Sequence, residues 1–364
     1  MPKVVISGYY GFHNSGDEAM LYAMLMALRA AVPGLEAIVL SKDPVYTARE
    51  FGVRSIPRDN PSLVFKALWE SELLISGGGG LLQDINGPKS IIYYLGVVAM
   101  AMLLGKTVLF YAQGFGPVSS VLGKALVRQV ANRVTVITVR DPDSRDELNA
   151  LGITRPRLEV TADPVLGLDP SLIDRKKGRD ILSLLGADRR PLAGISVRPW
   201  KGLDGYKAVI AKVADDLLGK GWQVLLVPMH CPGDLKTCRE VAARMRGKAL
   251  LLEDQTDYMD VMSVTANLDL SIGMRLHFLI FSVIFGVPVV GIPYDPKVNR
   301  FLQSVGLPVG FNAEKLDYGE LSAGINNVLD NRDRISAGLK GQVAPLRAEA
   351  LKNASLAAEL LRSG

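Results

Sequence analysis

Residues 271–299 read SIGMRLHFLIFSVIFGVPVVGIPYDPKVN, and this stretch decides the fold class. Its segment 276–285 is apolar around nearly the whole helical circumference, which is typical of a helix buried in a core rather than lying on a surface. The Gly-Val-Pro sequence at 286–288 ends that helix, and residues 289–292 predict a buried parallel strand. A buried helix followed at once by a buried strand indicates an α/β fold built on a parallel sheet.

Two basic side chains, Arg275 and His277, stand at the start of this apolar helix. Burying a cation without a partner costs free energy, so both residues are expected to meet an anion or to carry out chemistry. The strand that follows leads into Tyr294, Asp295 and Lys297, and together these residues predict an anion-binding pocket at a helix N-terminus. The alternative is an arginine that reaches the surface and a core histidine that bonds to a backbone carbonyl.

The length of 364 residues favours two domains of roughly 150 to 180 residues over one core. Strand and helix patterns alternate in both halves, which predicts two Rossmann-like domains facing each other across a cleft. We expect an N-terminal domain over 1–170, a C-terminal domain over 185–342, and a last helix over 343–364 that packs back on the N-terminal domain. The densest basic run, RKKGR at 175–179, lies in the linker that this division implies.

The predicted elements follow the same alternation. In the first half, strands are expected at 4–7, 38–40, 73–76, 108–112, 134–139 and 158–161, and helices at 17–31, 61–71, 90–104, 119–132 and 143–151. In the second half, strands are expected at 192–197, 223–228, 249–252 and 268–272, and helices at 205–219, 235–246, 257–266 and 344–361.

Composition excludes several classes of protein. A net charge of +5, with no tract that alternates basic and aromatic residues, argues against a nucleic-acid partner. Cys231 and Cys238 are too few for a zinc cluster or a disulfide framework, which favours a reducing compartment. The uncharged segment 91–105 is shorter than the roughly 18 residues expected of a spanning helix. We therefore expect a cytoplasmic protein that contacts the inner face of the cell membrane at most from the side.

The loop after the first predicted strand, GYYGFHNSGDE at 8–18, suits a sugar better than a phosphate. It lacks the G-x-G-x-x-G dinucleotide pattern, and Asp17 and Glu18 would repel a phosphate but could accept hydrogen bonds from sugar hydroxyls. Tyr10 and Phe12 could stack on a sugar face. The alternative is that both acids only complement the helix dipole and the cap.

Glycine-rich loops follow two further strands. The four glycines at 77–80 weaken regular structure by up to about 1 kcal/mol each relative to alanine, so they predict close approach of the backbone to a ligand, or else a flexible turn. The sequence QGFGP at 113–117 repeats this pattern. Arg140 and Asp141 end another strand and either bind a ligand or pair internally. The sequence TADP at 161–164 favours a structural turn over a site.

The second half instead carries basic and imidazole groups at strand ends and helix starts: Arg198, His230, Arg275, His277 and Lys297. If they converge, they form a site for a small anion with several charges. The first domain would then hold a neutral ligand rich in hydroxyls, and the second would hold an anion. This asymmetry favours a transferase with two substrates.

The motifs GYYGFHNSGDEA, SGGGGLLQD, YAQGFGP, TADP, SVRPW, GMRLHFLIF and GVPVVGIPYDPKV occur in this order between residues 4 and 299. Together they resemble the polysaccharide pyruvyl transferase family, most closely its CsaB-type members that act on bacterial cell-wall polysaccharide. The resemblance implies a fold similar to the GT-B glycosyltransferases and phosphoenolpyruvate as co-substrate, with no cofactor or metal. It further implies a lipid-linked acceptor containing N-acetylmannosamine, whose 4,6-pyruvate ketal anchors S-layer proteins.

Residue roles follow from the loops and this resemblance. We expect His277, Arg275 and Asp17 to be catalytic, with His277 protonating the methylene carbon of phosphoenolpyruvate. The predicted donor-binding residues are Arg140, Arg198, Arg275, His277 and Lys297. The predicted acceptor-binding residues are Tyr10, Phe12, Asn14, Gly78, Gly79, Asp84 and Gln113.

Two rival functions share the predicted architecture. One is a GT-B glycosyltransferase that uses a nucleotide-sugar donor, and the other is a catalytically inactive saccharide-binding paralogue. The sequence predicts neither the exact acceptor nor the oligomeric state.

Overall fold

The computed structural model describes residues 1–84, 89–253 and 257–363. These residues separate into two compact units. The first contains Met1–Phe12, Asp17–Leu168 and the C-terminal segment from Leu346, and the second contains His13–Gly16 and Asp169–Pro345. Each unit is a parallel sheet with helices between its strands, so the predicted α/β class is confirmed.

The first unit is built on a seven-stranded parallel sheet with the strand order β3-β2-β1-β4-β5-β6-β7. Its strands are β1 (Lys3–Ser7), β2 (Glu36–Ser41), β3 (Arg54–Pro57), β4 (Leu73–Ser76), β5 (Thr107–Gln113), β6 (Val136–Val139) and β7 (Arg157–Val160). The order reverses between β1 and β4, and ligands of such sheets bind beyond the carboxyl ends of the strands at that reversal. The loops after β1 and β4 therefore lie where a site is expected.

Six helices connect these strands: α1 (Ser15–Ala31), α2 (Pro44–Phe51), α3 (Pro61–Trp69), α4 (Lys89–Leu103), α5 (Val121–Ala131) and α6 (Pro142–Ala150). The sequence reading missed α2 and β3. A helix start signal was present for α2, because Asp43 caps it by accepting from the Tyr46 N–H and Pro44 occupies its first turn. The strand β3 has four residues and one fully buried side chain, Ile56, so it carries almost no hydrophobic pattern.

The second unit is built on a five-stranded parallel sheet with the order β10-β9-β8-β11-β12. Its strands are β8 (Leu192–Ser196), β9 (Gln223–Leu226), β10 (Leu250–Leu251), β11 (Leu270–Gly273) and β12 (Val289–Gly291). The predicted buried strand is confirmed, because β12 pairs with β11 along Ser271–Val289 and Ile272–Val290. The predicted core helix is also confirmed as α11 (Leu276–Ile284), in which Phe278 and Phe281 are fully buried.

The other helices of the second half are α7 (Arg175–Leu184), α8 (Gly205–Gly219), α9 (Gly233–Ala242), α10 (Tyr258–Thr265), α12 (Pro296–Ser304), α13 (Tyr318–Asp330) and α14 (Arg332–Ser363). The expectation that 175–179 forms a linker is wrong. These residues open α7, which Asp174 caps and which packs against α10. The close contact is made at Gly178, where a Cβ would collide with the Ser263 carbonyl. The charged run at 175–179 therefore belongs to a helix, α7, whose packing against α10 depends on Gly178.

The final helix is longer than predicted. Helix α14 begins at Arg332, contains Pro345, and passes from the second unit to the first between Pro345 and Leu346. Within the first unit, buried Asn353 accepts hydrogen bonds from Thr138 and Thr161, and Leu351 packs against Gly167. These contacts fix the last turns of α14 to the first unit. None of the described helices combines the length and the apolar character needed to cross a membrane.

Candidate functional site

Four neighbouring strands of the second unit present polar side chains at their carboxyl ends. His230 follows β9, Arg198 follows β8, Arg275 follows β11, and Tyr294 and Lys297 follow β12. Parallel strands end at the same edge of a sheet, so side chains from separate parts of the sequence come together there.

Arg275 does not stand alone at the start of α11. Its Nε and Nη2 donate to Asp234 over 2.8 and 2.5 Å, and the Asp234 side chain is completely buried. The same carboxylate accepts from the Met229 and His230 backbone N–H groups, which holds the loop after β9 in place. A bidentate pair of this kind fixes geometry and cancels charge. Arg275 therefore links the loops after β9 and β11.

Arg198 has a different environment. Its Nη1 donates to the Tyr294 hydroxyl over 2.7 Å, and its guanidinium carbon lies 4.5 Å from the Tyr294 ring centroid. Its other hydrogen bond goes to the Pro199 carbonyl, and no carboxylate of the described residues pairs with it. Trp200 packs on Tyr294 with ring centroids 4.7 Å apart. Lys297 Nζ lies 5.4 Å from the Tyr294 ring centroid and pairs with Asp295 at 3.4 Å.

The pKa of Tyr294 reflects the positive electrostatic potential created by the surrounding Arg and Lys side chains. Burial by itself raises the pKa of a tyrosine, since it disfavours the phenolate. Lys297, Arg198 and Arg275 outweigh that effect, with Asp295 opposing them, so the pKa of Tyr294 is lowered from its ordinary value of 10.0. We call Arg198, Tyr294 and Lys297 the cation cluster. It is suited to an anionic ligand.

His277 lies in the first turn of α11 against the segment His13–Gly16, which belongs to the second unit. The imidazole lies so close to Gly16 that any Cβ there would collide with it. The segment is held by the Ser15 N–H, which donates to the Met229 carbonyl over 2.9 Å, and by a backbone bridge between Asn14 and His230. The predicted acceptor residue Asn14 thus lies in a segment that contacts both His230 and His277.

The carboxyl edge of the first sheet holds a second buried ion pair. Arg140 Nη1 lies 3.0 Å from Asp163 Oδ2, and the two side chains are only 7% and 4% exposed. The guanidinium also packs on Gly114, whose N–H donates to the Gly79 carbonyl over 3.1 Å. Arg140 therefore connects the loops after β5, β6 and β7. It lies in the first unit, whereas the other four predicted donor residues lie in the second.

The first loop differs from the expectation at one position. Tyr10 is fully buried and its hydroxyl packs against Gly77, so its ring is not available to stack on a sugar. Burial, followed by the charge of Asp17, raises the pKa of Tyr10 well above its ordinary value. Phe12 instead stacks on Tyr9 with ring centroids 4.0 Å apart. Of the two aromatic residues predicted to stack on a sugar, Tyr10 is therefore excluded by its burial, whereas Phe12 stays a prediction.

Several other predicted acceptor residues support the loops. Asp84 accepts from the Ser119 and Ser120 N–H groups immediately before α5. Gln113 is buried and donates to the Ser76 hydroxyl over 2.8 Å. Gly78 and Gly79 are buried, and Asp17 Oδ1 would touch a Cβ placed on Gly79. Among the residues that the structure describes, no group of three or more His, Cys, Asp or Glu side chains could hold a metal ion.

Two residues that shape the loops at these strand ends were not predicted from the sequence. Asp234 was missed although it lies in the first turn of the helix after His230, where an acid could have been tested as a partner for Arg275. Arg58, just after β3, was missed because β3 itself was missed. Its guanidinium carbon lies 4.0 Å from the Tyr93 ring centroid and 5.2 Å from that of Phe12, and it donates to the Gly8 carbonyl over 3.1 Å.

Comparison with solved structures identifies the fold. Anabaena HepE in complex with UDP-glucose has a TM-score of 0.68 at 14% identity, with 100% of both chains covered. The UDP-GlcNAc 2-epimerase of Neisseria meningitidis bound to UDP-GlcNAc has a TM-score of 0.68 at 10% identity, also with 100% of both chains covered. At these identities the likeness shows the fold alone, which is GT-B-like.

Sequence comparison gives the family. The amylovoran biosynthesis protein AmsJ of Erwinia amylovora is 25% identical over 287 residues, which cover 74% of this chain and 68% of AmsJ. The family profile for polysaccharide pyruvyl transferases matches residues 14–296. This span contains His277, the Arg275–Asp234 pair and all of the cation cluster apart from Lys297. The chain therefore belongs to the polysaccharide pyruvyl transferase family and is a transferase of polysaccharide biosynthesis.

Proposed function

We propose that the chain transfers the pyruvyl group of phosphoenolpyruvate to two hydroxyls of one sugar, with release of phosphate. The observation that carries this proposal is the cation cluster, in which Arg198 meets Tyr294 but no carboxylate of the described residues. Phosphoenolpyruvate bears a phosphate and a carboxylate on the same carbon, C2, and guanidinium and ammonium groups bind both by charge-assisted hydrogen bonds. Family membership supplies the pyruvyl group as the unit transferred.

The residues predicted to bind the donor have different roles, depending on whether a carboxylate already holds them. Arg198 and Lys297 bind the anionic groups directly. Arg275 holds its loops through Asp234 and adds positive potential, which is part of the cause of the lowered pKa of Tyr294. Arg140 was predicted to bind the donor, but Asp163 already meets its charge, so we propose that it holds the loops of the first unit and adds little to donor affinity.

His277 gives a proton to the methylene carbon of the donor, because an imidazolium can serve as a general acid whereas a guanidinium does not release its proton. C2 becomes electron-poor, and the first sugar hydroxyl attacks it and loses its proton to a base. The bond from C2 to the phosphate oxygen then breaks, with its electron pair leaving on phosphate. The second hydroxyl adds to C2, loses its proton and closes the ketal. Atoms and electrons balance without an oxidant or reductant, so we propose no cofactor.

On the acceptor side, we propose Asp17 as the base for the attacking hydroxyl, and Phe12 and Asn14 as acceptor contacts. Tyr10, Asp84 and Gln113 act indirectly, since the first is buried and the other two hold the loops. Gly78 and Gly79 allow close approach of the backbone.

The acceptor that we propose is N-acetylmannosamine in a lipid-linked cell-wall polysaccharide precursor, made into a 4,6-ketal for S-layer anchoring at the inner face of the membrane. This proposal rests on the likeness of the motifs to CsaB-type enzymes. The relative AmsJ is a biosynthesis protein of amylovoran, so the acceptor has to be tested against other saccharides.

The test is acceptor-dependent release of phosphate from phosphoenolpyruvate, combined with mass spectrometry of the saccharide. We expect the product to gain one pyruvate less one water, and the gain to be largest with N-acetylmannosamine acceptors. Transfer from a UDP-sugar but not from phosphoenolpyruvate would identify a glycosyltransferase instead. Saccharide binding without transfer from either donor would identify a binding protein.

A further inference from the structure

Helices α3, α4 and α5 form one neighbouring set in the first unit, because α4 packs against both α3 and α5. Their outward side chains are unusually apolar. Seven of the fifteen large hydrophobic side chains that are exposed among the described residues lie on these helices, which hold 9, 15 and 11 residues. Six of them are Phe65, Trp69, Ile92, Leu103, Val121 and Leu122. We call these six the apolar face.

The pattern along α4 shows that this exposure is systematic. Ile92, Gly96 and Leu103 are all exposed at helical spacing, and partly exposed neighbours between them are Ala99 and Met100. The outward side of α4 thus contains no polar group over three turns. On α3, Phe65 and Trp69 are stacked and Trp69 is 65% exposed. Exposed apolar side chains grouped on neighbouring helices are typical of a binding surface for a protein or a lipid.

The three helices of the apolar face carry basic residues and no acidic ones. The stretches 61–69, 89–106 and 119–135 contain no Asp or Glu, and their basic residues are Lys66, Lys89, Lys106, Lys124, Arg128 and Arg133. The chain as a whole has 37 acidic residues against 42 basic ones, so this segregation is not a consequence of composition. Acids that border these stretches already have partners: Glu70 pairs with Arg54 at 2.9 Å and with Lys66 at 4.0 Å, Asp59 pairs with Lys42, and Asp84 accepts from the Ser119 and Ser120 N–H groups.

We propose that the apolar face binds an anionic lipid membrane. Apolar side chains enter the boundary between headgroups and acyl chains, tryptophan prefers that interface, and flanking Lys and Arg are attracted to anionic lipids. Leu103 and Trp69 enter deepest, and Lys124 and Arg128 on α5 meet the headgroups. This surface is independent of pyruvyl transfer, since it contains none of the proposed donor or acceptor residues.

A second copy of the chain fits this surface less well. In a two-fold dimer through the same face, each patch meets itself, and the basic residues of one copy approach those of the other. The three stretches carry no acid to offset that repulsion. An anionic bilayer satisfies both the apolar side chains and the surrounding positive charge.

The experiment is co-sedimentation of the full chain with phosphatidylcholine vesicles that contain or lack phosphatidylglycerol, in the absence of donor and acceptor. We expect binding to the anionic vesicles. The double variant Trp69→Gln/Leu103→Gln should lower the partition coefficient at least about tenfold, because two large apolar side chains no longer leave water. Lys124→Glu/Arg128→Glu should remove the preference for anionic lipid.

The matched control is Leu184→Gln/Val309→Gln, which alters two exposed apolar side chains of the second unit. It should bind vesicles like the unmodified chain, and all variants should keep their thermal unfolding midpoint and their turnover of a water-soluble acceptor. Absence of vesicle binding, or equal binding by the Trp69/Leu103 variant, would overturn the proposal. So would a dimer in solution that this variant dissociates. Because no substrate is present, these outcomes are separate from success or failure of the transfer assay.

Discussion

The carboxyl edges of the two sheets both carry an arginine–aspartate ion pair, but they differ in the charge that remains unpaired. Each edge has a buried or half-buried arginine bound to a buried aspartate, Arg140 to Asp163 in the first unit and Arg275 to Asp234 in the second. In the second unit Arg198 adds a cation that no described carboxylate meets. An arginine at a strand end is therefore not by itself an anion site. The unmatched arginine is the one that can bind a ligand.

Energetics support this distinction. Removing one partner of a buried ion pair leaves an uncompensated charge and costs about 3–5 kcal/mol, so such pairs are maintained for structure. An arginine that already meets a carboxylate has less to gain from a ligand. Arg198 bonds only to a hydroxyl and a carbonyl, and therefore keeps its capacity to form a charge-assisted bond.

The largest expected effect belongs to His277→Ala. Loss of the proposed proton donor should lower kcat by about 10²- to 10⁴-fold while leaving the fold intact. Acceptor-dependent phosphate release measures the rate, and circular dichroism checks the fold. Near-normal turnover in the folded variant would remove His277 from the mechanism. Loss of donor affinity with unchanged kcat would make it a phosphate ligand.

Arg275→Ala should lower the free energy of unfolding by about 3–5 kcal/mol, because Asp234 is left buried and unpaired. Urea unfolding measures the change. The double variant Arg275→Ala/Asp234→Ala should recover part of the loss, since it removes both charges. Equal stability of Arg275→Ala and the unmodified chain would show that the pair is not structural, and Arg275 would then resemble Arg198.

Arg140→Ala breaks the matching pair of the first unit. We expect a loss of unfolding free energy of about 3 kcal/mol or more, because Asp163 is left buried without its partner. Donor affinity should change by less than about twofold, because Asp163 already meets the charge of Arg140 and leaves it little to offer the donor. Urea unfolding and a calorimetric titration with phosphoenolpyruvate measure the two quantities. A tenfold weaker donor affinity at unchanged stability would restore Arg140 as a donor contact.

A smaller effect is expected at Tyr294. Bound donor neutralises the cations that lower the pKa of this residue, so the pKa should rise towards its ordinary value when phosphoenolpyruvate is added. Tyrosine carbon-13 NMR across alkaline pH reports it, with Tyr294→Phe to assign the signal. Since the folded-state pKa is lowered, the stabilisation it contributes is present above the unfolded pKa of about 10 and is lost as the pH falls through the folded value. An unchanged pKa with donor bound would place the donor elsewhere.

Much of the fold could be predicted from the sequence because buried parallel strands are continuous apolar runs. Residues 276–292 predicted both α11 and β12 in the second sheet. Of the missed elements, β3 and α2 are short and partly exposed, so they carry little hydrophobic pattern, and the sequence also failed to predict α12 and α13. The linker expected at 175–179 was wrong because tertiary packing at Gly178 places those charges on a helix.

The candidate site was predictable only in part. The ends of strands can be predicted from the sequence, and on that basis four residues were placed at the candidate site: Arg198, Arg275, His277 and Lys297. Partners cannot be read in this way, because Asp234 lies 41 residues from Arg275 along the chain and meets it only after folding. The burial of Tyr10 could not be predicted either, because a loop sequence does not reveal which of two adjacent tyrosines, Tyr9 or Tyr10, faces the core.

If the unmatched arginine of the second unit binds the anionic donor, donor affinity depends on Arg198, and a calorimetric titration of Arg198→Ala with phosphoenolpyruvate measures that dependence. Arg190→Ala, which changes an exposed arginine paired with Asp188, is the matched control. We predict that Arg198→Ala weakens donor binding by about 10- to 100-fold with little loss of stability, as expected for one charge-assisted contact. Donor binding equal to that of the control, in a folded Arg198→Ala variant, would contradict the account.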